Sequence, residues 1–221
     1  MPLALFDLDN TLIQRQSALR SVADRFCAGH GLHLADVPRV AEALRDRAYP
    51  ATFAALRREL HLPGPASALW DWYVDAISAA VTCLPETLGG LEQLRDAGWT
   101  VGIVTNGASD IQHAKLRATG LDARVDAVCI SDDIGVRKPD PDIFHAAADR
   151  CGHPRADGWM IGDNPATDIA GAHGVGLRTI WIAAGRDWTH SGRPADHNAT
   201  DASAAVAHLL TLPMPFTSRP R

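Results

Sequence analysis

The chain has 221 residues, 46% of them hydrophobic, enough to bury one full core and to furnish a modest second lobe. A net charge of -5 argues against a protein that grips nucleic acid by neutralising phosphates, since that task needs an excess of Lys and Arg. Cys27, Cys83, Cys129 and Cys151 are widely spaced and form no CxxC pair, so neither a disulfide framework nor a zinc clip is expected and a cytoplasmic location fits.

The first apolar run, Leu3 to Leu8, predicts a buried strand. It lacks a basic start and meets Asp7 and Asp9 too soon for a signal peptide. From about Gln14 to Cys83 the strand signal disappears, and Ala, Leu, Arg and Trp recur at helical spacing, broken by Gly29 to Gly31 and by Leu62-Pro63-Gly64-Pro65. This segment predicts an inserted helical lobe. Further strands are expected at Trp99 to Val104, Ala127 to Ile130, Trp159 to Ile161 and Leu177 to Ile182, each separated from the next by helical pattern. Asp140-Pro141 opens a helix that Gly152 closes, and Asn164-Pro165 and Gly174 bracket another. No stretch approaches the ~20 apolar residues that a membrane helix needs.

The alternation predicts an α/β fold, a Rossmann-like parallel sheet with helices on both faces plus an inserted α-helical cap. The expected division is a core of residues 1–13 and 84–212, a cap of residues 14–83 and a flexible tail over 213–221. Tethered at two points, the cap could close over a ligand, with Arg15, Trp70 and Trp72 among its candidate contacts. Most arginines on helices are nonetheless solvated, and most tryptophans are core.

The chemistry collects by position. Asp7 and Asp9, then Thr105 and Asn106, then Lys138, then Asp163 and Asp168 lie at or beyond the ends of successive expected strands. In an open parallel sheet those ends share one edge, where ligands bind. Carboxylates crowded there repel one another unless a cation sits among them. Oxygen-only ligands select a hard ion, Mg²⁺. A phosphoryl group bridging that ion and the lysine satisfies both charges, so the site reads as phosphoryl transfer.

Asp7-Leu8-Asp9-Asn10-Thr11 resembles the first motif of the haloacid dehalogenase superfamily, and Val104-Thr105-Asn106-Gly107 resembles its second. Gly135-Val136-Arg137-Lys138-Pro139-Asp140 is similar to the third, and Gly162-Asp163-Asn164-Pro165-Ala166-Thr167-Asp168 to the fourth. The helical insert matches the C1 type of cap in that family. Around Thr105, Gly135 and Asp168 the text looks closest to nucleotidase-like and N-acylneuraminate-9-phosphatase-like members.

The resemblance implies a magnesium-dependent phosphatase acting on a small phosphate ester. Asp7 would attack phosphorus to give an aspartyl phosphate, and Asp9 would protonate the leaving group and offer its backbone carbonyl to the metal. Asp163 would ligate magnesium beside Asp7, and Asp168 would orient the loop or metal-bound water without binding the ion directly. Leu8, Asn10, Thr11, Thr105, Asn106 and Lys138 would hold the phosphoryl group. A dehalogenase of the same superfamily needs no acid at Asp9, whereas a phosphomutase keeps both carboxylates. A phospho-acceptor receiver domain shares Asp, Thr and Lys on a parallel sheet but carries no cap. The expected partner is a small molecule, without nucleic acid or membrane. The oligomeric state is open between monomer and homodimer, as is the substrate among nucleoside monophosphates, sugar phosphates and acylneuraminate 9-phosphate.

Overall fold

The computed structural model describes residues 1–153 and 158–213, so the expected tail lies, from residue 214 on, outside the described residues. Six parallel strands form one sheet: β1 (Leu3–Phe6), β2 (Thr100–Thr105), β3 (Ala127–Ile130), β4 (Gly158–Gly162), β5 (Arg178–Ile182) and β6 (His197–Ala199). Their order is β3-β2-β1-β4-β5-β6. The helices, in chain order, are α1 (Arg15–Gly29), α2 (Val37–Arg45), α3 (Pro50–Glu59), α4 (Ala66–Ala80), α5 (Pro85–Asp96), α6 (Ser109–Thr119), α7 (Ser131–Ile134), α8 (Pro141–Arg150), α9 (Ala170–Gly174) and α10 (Ala202–Leu210).

Every residue of β1, β2 and β4 is buried, which is why these strands read as continuous apolar runs without alternation. Against the sheet packs α8, whose Ile143, Phe144 and Ala147 join Leu3, Leu5, Val104 and Met160 in one core cluster. The α8 helix starts as its sequence predicts, with the Asp140 side chain accepting from the Asp142 N–H and Pro141 in the first turn. The helix pair α5 and α10 covers β2 and β5 through Leu91, Leu94, Val206 and Leu209.

β6 was absent from the expected strands. It is three residues of mixed polarity, with no apolar run to announce it, and it is held by pairing with Ile180 to Ile182 on the sheet's edge. The helix expected after Asn164 also differs: Pro165–Ile169 winds with π geometry before α9 begins. The Asn164 side chain caps this wide turn by accepting from the Ala166 and Thr167 N–H groups.

By their contacts the described residues divide into two compact units, one built from residues 1–13, 83–106 and 120 onward, the other from 14–82 and 107–119. The second holds α1, α2, α3, α4 and α6. Sequence position assigns α6 to the sheet, yet it groups with the inserted helices. One reason is local: the Trp70 indole donates to Asp110 Oδ2 at 2.6 Å. Inside this unit Phe26, Phe53, Trp70 and Tyr73 pack as an aromatic core, with Phe53 and Tyr73 ring centres 5.0 Å apart. Arg15, a candidate substrate contact by sequence, is instead buried at the C-terminus of α2. There its guanidinium donates to the carbonyls of Leu44, Arg45 and Asp46, groups the helix leaves without partners. No helix among the described residues is long and apolar enough to cross a membrane.

Candidate active site

β1 is central in the sheet, paired with β2 on one side and β4 on the other. Asp7 follows it directly, and its N–H continues the ladder by donating to the Ile161 carbonyl at 2.8 Å. The register sets Phe6 opposite Ile103 and Ile161, and Gly162 opposite Trp181. Asp7, Thr105, Asn106 and Asp163 therefore emerge at the same carboxyl edge, as the parallel topology requires.

Lys138 reaches this edge from the loop before α8. Its side chain is wholly buried, and its ammonium lies 2.6 Å from Asp7 Oδ1, 2.8 Å from Asp168 Oδ1 and 2.8 Å from the Val104 carbonyl. A lysine has three hydrogens to donate, so all are committed. Burial alone would lower the pKa of this ammonium; Asp168 and Asp7 more than reverse that, and it stands above its ordinary value. Burial, then Asp168 and Asp163, pushes the Asp7 carboxyl up to about 7 against the opposing pull of Lys138.

Sequence reasoning enlisted Asn106 for the phosphoryl group, but its side chain is engaged elsewhere. The Asn106 amide donates to the Lys138 carbonyl at 2.9 Å and accepts from the Lys138 N–H at 2.8 Å. This two-way grip holds the lysine's backbone at the sheet edge, and leaves the Asn106 main chain as the part that could face a ligand. Thr105, the last residue of β2, is buried beside it.

Asp168, on the π-wound turn, accepts from the Asn164 N–H at 3.0 Å through Oδ2 and from Lys138 through Oδ1. Gly162 makes room for it: a Cβ there would stand 2.3 Å from Asp168 Oδ2 and 2.5 Å from its Cγ. Gly162→Ala is therefore expected to displace Asp168 and to lower stability by about 1–3 kcal/mol, measurable as a shifted urea midpoint. Asp163 lies just beyond Gly162, with burial and then Asp168 pushing its carboxyl up to about 6 while Arg186 and Lys138 oppose.

Residues 8–13 coil tightly after the strand. The Leu8 carbonyl accepts from the Leu12 and Ile13 N–H groups at 3.0 and 3.1 Å, and the Asn10 N–H donates to the Ile13 carbonyl at 2.7 Å. Asn10 takes a left-handed conformation at φ 61°, which asparagine tolerates better than most residues. Leu8, expected to bind substrate, has its side chain in the core, so only its main chain could serve a ligand. The Thr11 hydroxyl is buried with no hydrogen-bond partner among the described residues. Asp9 is half-exposed, its backbone bridged to Ile13, and it is close enough to Asp163 to raise that residue's pKa.

Carboxylate oxygens of Asp7, Asp163 and Asp168 lie within 4.8 Å of one another. The donors are all oxygen, without a nitrogen or sulfur ligand among them, which suits a hard divalent cation. Asp168 has both oxygens already engaged, whereas Asp7 keeps Oδ2 clear of Lys138. The residues present thus fit magnesium, which Asp7 and Asp163 could hold while Asp168 braces the lysine.

Two contacts on Asp163 had no signal in the sequence. Trp181 Nε1 and Arg186 Nη2 both donate to its main-chain carbonyl, at 3.0 and 2.9 Å. A tryptophan on a buried strand reads as core, and an arginine in a loop reads as solvated.

Residues 1–176 match the family described as haloacid dehalogenase-like hydrolases. The ribulose-1,5-bisphosphate 5-phosphatase of Halopiger xanaduensis is 30% identical over 220 residues, covering 90% of this chain and 92% of that protein. The glyceraldehyde 3-phosphate phosphatase of Methanopyrus kandleri is 31% identical over 198 residues, covering 82% and 84%. Among solved structures, a HAD phosphatase from Thermococcus onnurineus is similar with a TM-score of 0.70 at 28% identity, covering 95% of this chain and 98% of that one.

Proposed function

Because the chain belongs to the haloacid dehalogenase-like hydrolase family, we propose that it hydrolyses the phosphate monoester of a small metabolite, with Asp7 as nucleophile. The observation that carries this reading is the buried Lys138 ammonium, fixed between Asp7 and Asp168 at the edge where Asp163 also emerges. A carboxylate so placed can attack a dianionic phosphoryl group, with the ammonium offsetting the group's charge even though its own hydrogens are already given to Asp7, Asp168 and Val104.

One carboxylate oxygen of Asp7 forms the new bond to phosphorus, while the other stays on the cationic side of the site, where Lys138 grips the carboxylate. As that bond forms, the bond from phosphorus to the ester oxygen breaks, and Asp9 gives the departing oxygen its proton. The resulting aspartyl phosphate divides one difficult displacement into two easier ones. Asp9, now a carboxylate, takes a proton from the water that attacks phosphorus, releasing inorganic phosphate and restoring Asp7. Thr105, Thr11 and the main-chain N–H groups of Leu8 and Asn106 are the proposed donors to the phosphoryl oxygens, whereas the Asn10 N–H is already given to the Ile13 carbonyl. The unpartnered Thr11 hydroxyl supports this, since a buried hydroxyl without an acceptor costs about 1–3 kcal/mol.

Magnesium, when bound by Asp7, Asp163 and the Asp9 main-chain carbonyl, would supply neutralisation of charge on the phosphoryl oxygens. Substrate choice is assigned to the inserted helices of residues 14–83. Two of the relatives matched over most of their length are named for phosphorylated sugars of different length, so ribulose bisphosphate and glyceraldehyde 3-phosphate head the substrate panel. Four free thiols fit action in a reducing cytoplasm.

The test is phosphate release from para-nitrophenyl phosphate and from a metabolite panel with magnesium, ranked by kcat/KM. A stable phosphoprotein with no release of phosphate on any substrate would sink the proposal. Asp9→Asn is expected to lose turnover on all esters, and about tenfold or more further on alkyl esters than on para-nitrophenyl phosphate, because a poor leaving group needs its proton more. Equal losses on both would remove Asp9 from the acid role.

A further inference from the structure

The peptide joining Asp163 to Asn164 is held at both ends. Its carbonyl accepts from Trp181 Nε1 at 3.0 Å and from Arg186 Nη2 at 2.9 Å, while its N–H donates to Asp168 Oδ2 at 3.0 Å. A peptide unit is planar, so fixing both ends blocks its rotation and with it the direction in which the Asp163 side chain leaves the backbone. Trp181 is itself buried on β5.

Arg186 is fixed in turn. Its Nε donates to the Ala183 carbonyl at 3.0 Å and its Nη2 also donates to the Ile182 carbonyl at 2.8 Å. The guanidinium carbon lies 5.5 Å from the centre of the Trp181 ring. The loop turns back through left-handed Ala184 and Gly185, at φ 46° and 78°, to set it there. Its ionic contact with Asp163 Oδ2 is longer, at 3.4 Å, and the Arg186 side chain is 48% exposed, so solvent screens that attraction. The hydrogen bonds to carbonyls, not the ion pair, are what this arginine contributes.

Resting on the metal site proposed above, we propose that Trp181 and Arg186 are positioning residues for magnesium: by clamping the Asp163 carbonyl they present its carboxylate to the cation from one fixed direction. Partners that orient a ligand without touching the metal commonly change affinity by about 10-fold to 100-fold when removed. Trp181→Phe deletes one donor while keeping an aromatic ring on the strand. Arg186→Lys keeps the positive charge beside Asp163 and removes the planar fork that spans several carbonyls.

The experiment is magnesium titration of the metal-free protein by calorimetry, with no substrate present. Each variant is expected to raise the magnesium Kd about tenfold. Ile180→Val, which trims a buried side chain on the same strand without touching that carbonyl, should lower the thermal midpoint yet leave the Kd within twofold of wild type. A Kd unchanged in both Trp181→Phe and Arg186→Lys overturns the clamp, as does an equal rise in Ile180→Val. Wild-type protein that binds no magnesium overturns the metal site and the clamp together, whereas magnesium binding without phosphate release would count against the phosphatase reading alone.

Discussion

Asp7→Asn is expected to slow hydrolysis of para-nitrophenyl phosphate by at least about 10³-fold, and yet to melt at a higher temperature than wild type when both are stripped of magnesium. The loss of rate follows from removing the proposed nucleophile, since an amide oxygen does not form the acyl phosphate. The gain in stability follows from burial, which raises the Asp7 carboxyl from 3.8 to about 7 in the folded chain. A folded-state pKa above the unfolded one means that the folded protein prefers the protonated group. Its stabilising contribution is complete below about pH 4 and is lost as pH rises through about 7. At about pH 8 the wild type carries a buried, ionised Asp7 at a cost on the order of a few kcal/mol, which the variant escapes. Asparagine can still accept from Lys138, so the lysine keeps its partner.

The difference in thermal midpoint should therefore widen from about pH 5 to about pH 8 in the presence of a chelator. Magnesium should then stabilise wild type more than the variant, because only wild type offers the full carboxylate set. A variant that melts below wild type at about pH 8 without metal would contradict the electrostatics assigned to this site.

Lys138→Met is expected to have the second large effect, with the opposite sign for stability. The substitution removes the ammonium from between Asp7 and Asp168 and leaves the Val104 carbonyl without its donor. Breaking a buried pair from one side costs about 3–5 kcal/mol, because the remaining charge is stranded away from water. The loss should be largest at about pH 8 and shrink toward about pH 4, where the Asp7 carboxyl takes up a proton and no longer needs the cation. Turnover should fall below detection in the same assay. Urea melts at the two pH values check the first statement, and a uniform loss across pH would refute it.

Much of this arrangement is legible in the sequence, for a physical reason. Strands buried on both faces are apolar over most of their length, so the runs at Leu3 to Leu8, Trp99 to Val104 and Trp159 to Ile161 stand out, and the polar residues near the end of each run must lie at the sheet's edge. Asp7, Asn106 and Asp163 were found that way. His197–Ala199 was not, because an edge strand of three residues takes its stability from its neighbour and leaves no hydrophobic record. The grouping of α6 with the inserted helices was equally hidden, since chain order alone does not say which elements touch.

The missed contacts around the site share one trait. Asn106 on Lys138, and Trp181 and Arg186 on Asp163, all act on main-chain groups. Every residue carries a carbonyl, so the partner of such a bond leaves no mark on the sequence. Carboxylates and a lysine announce themselves by type, whereas the groups that aim them are found only once the backbone is in place.

Lys138 has every hydrogen of its ammonium already assigned before any ligand arrives. Most long cationic side chains on a protein surface sample many rotamers and must be immobilised anew whenever an anion arrives. Here that loss of freedom occurs once, when the chain folds, so in the proposed reaction the charge would meet the phosphate as a fixed part of the scaffold, with little reorganisation left for the chemical step.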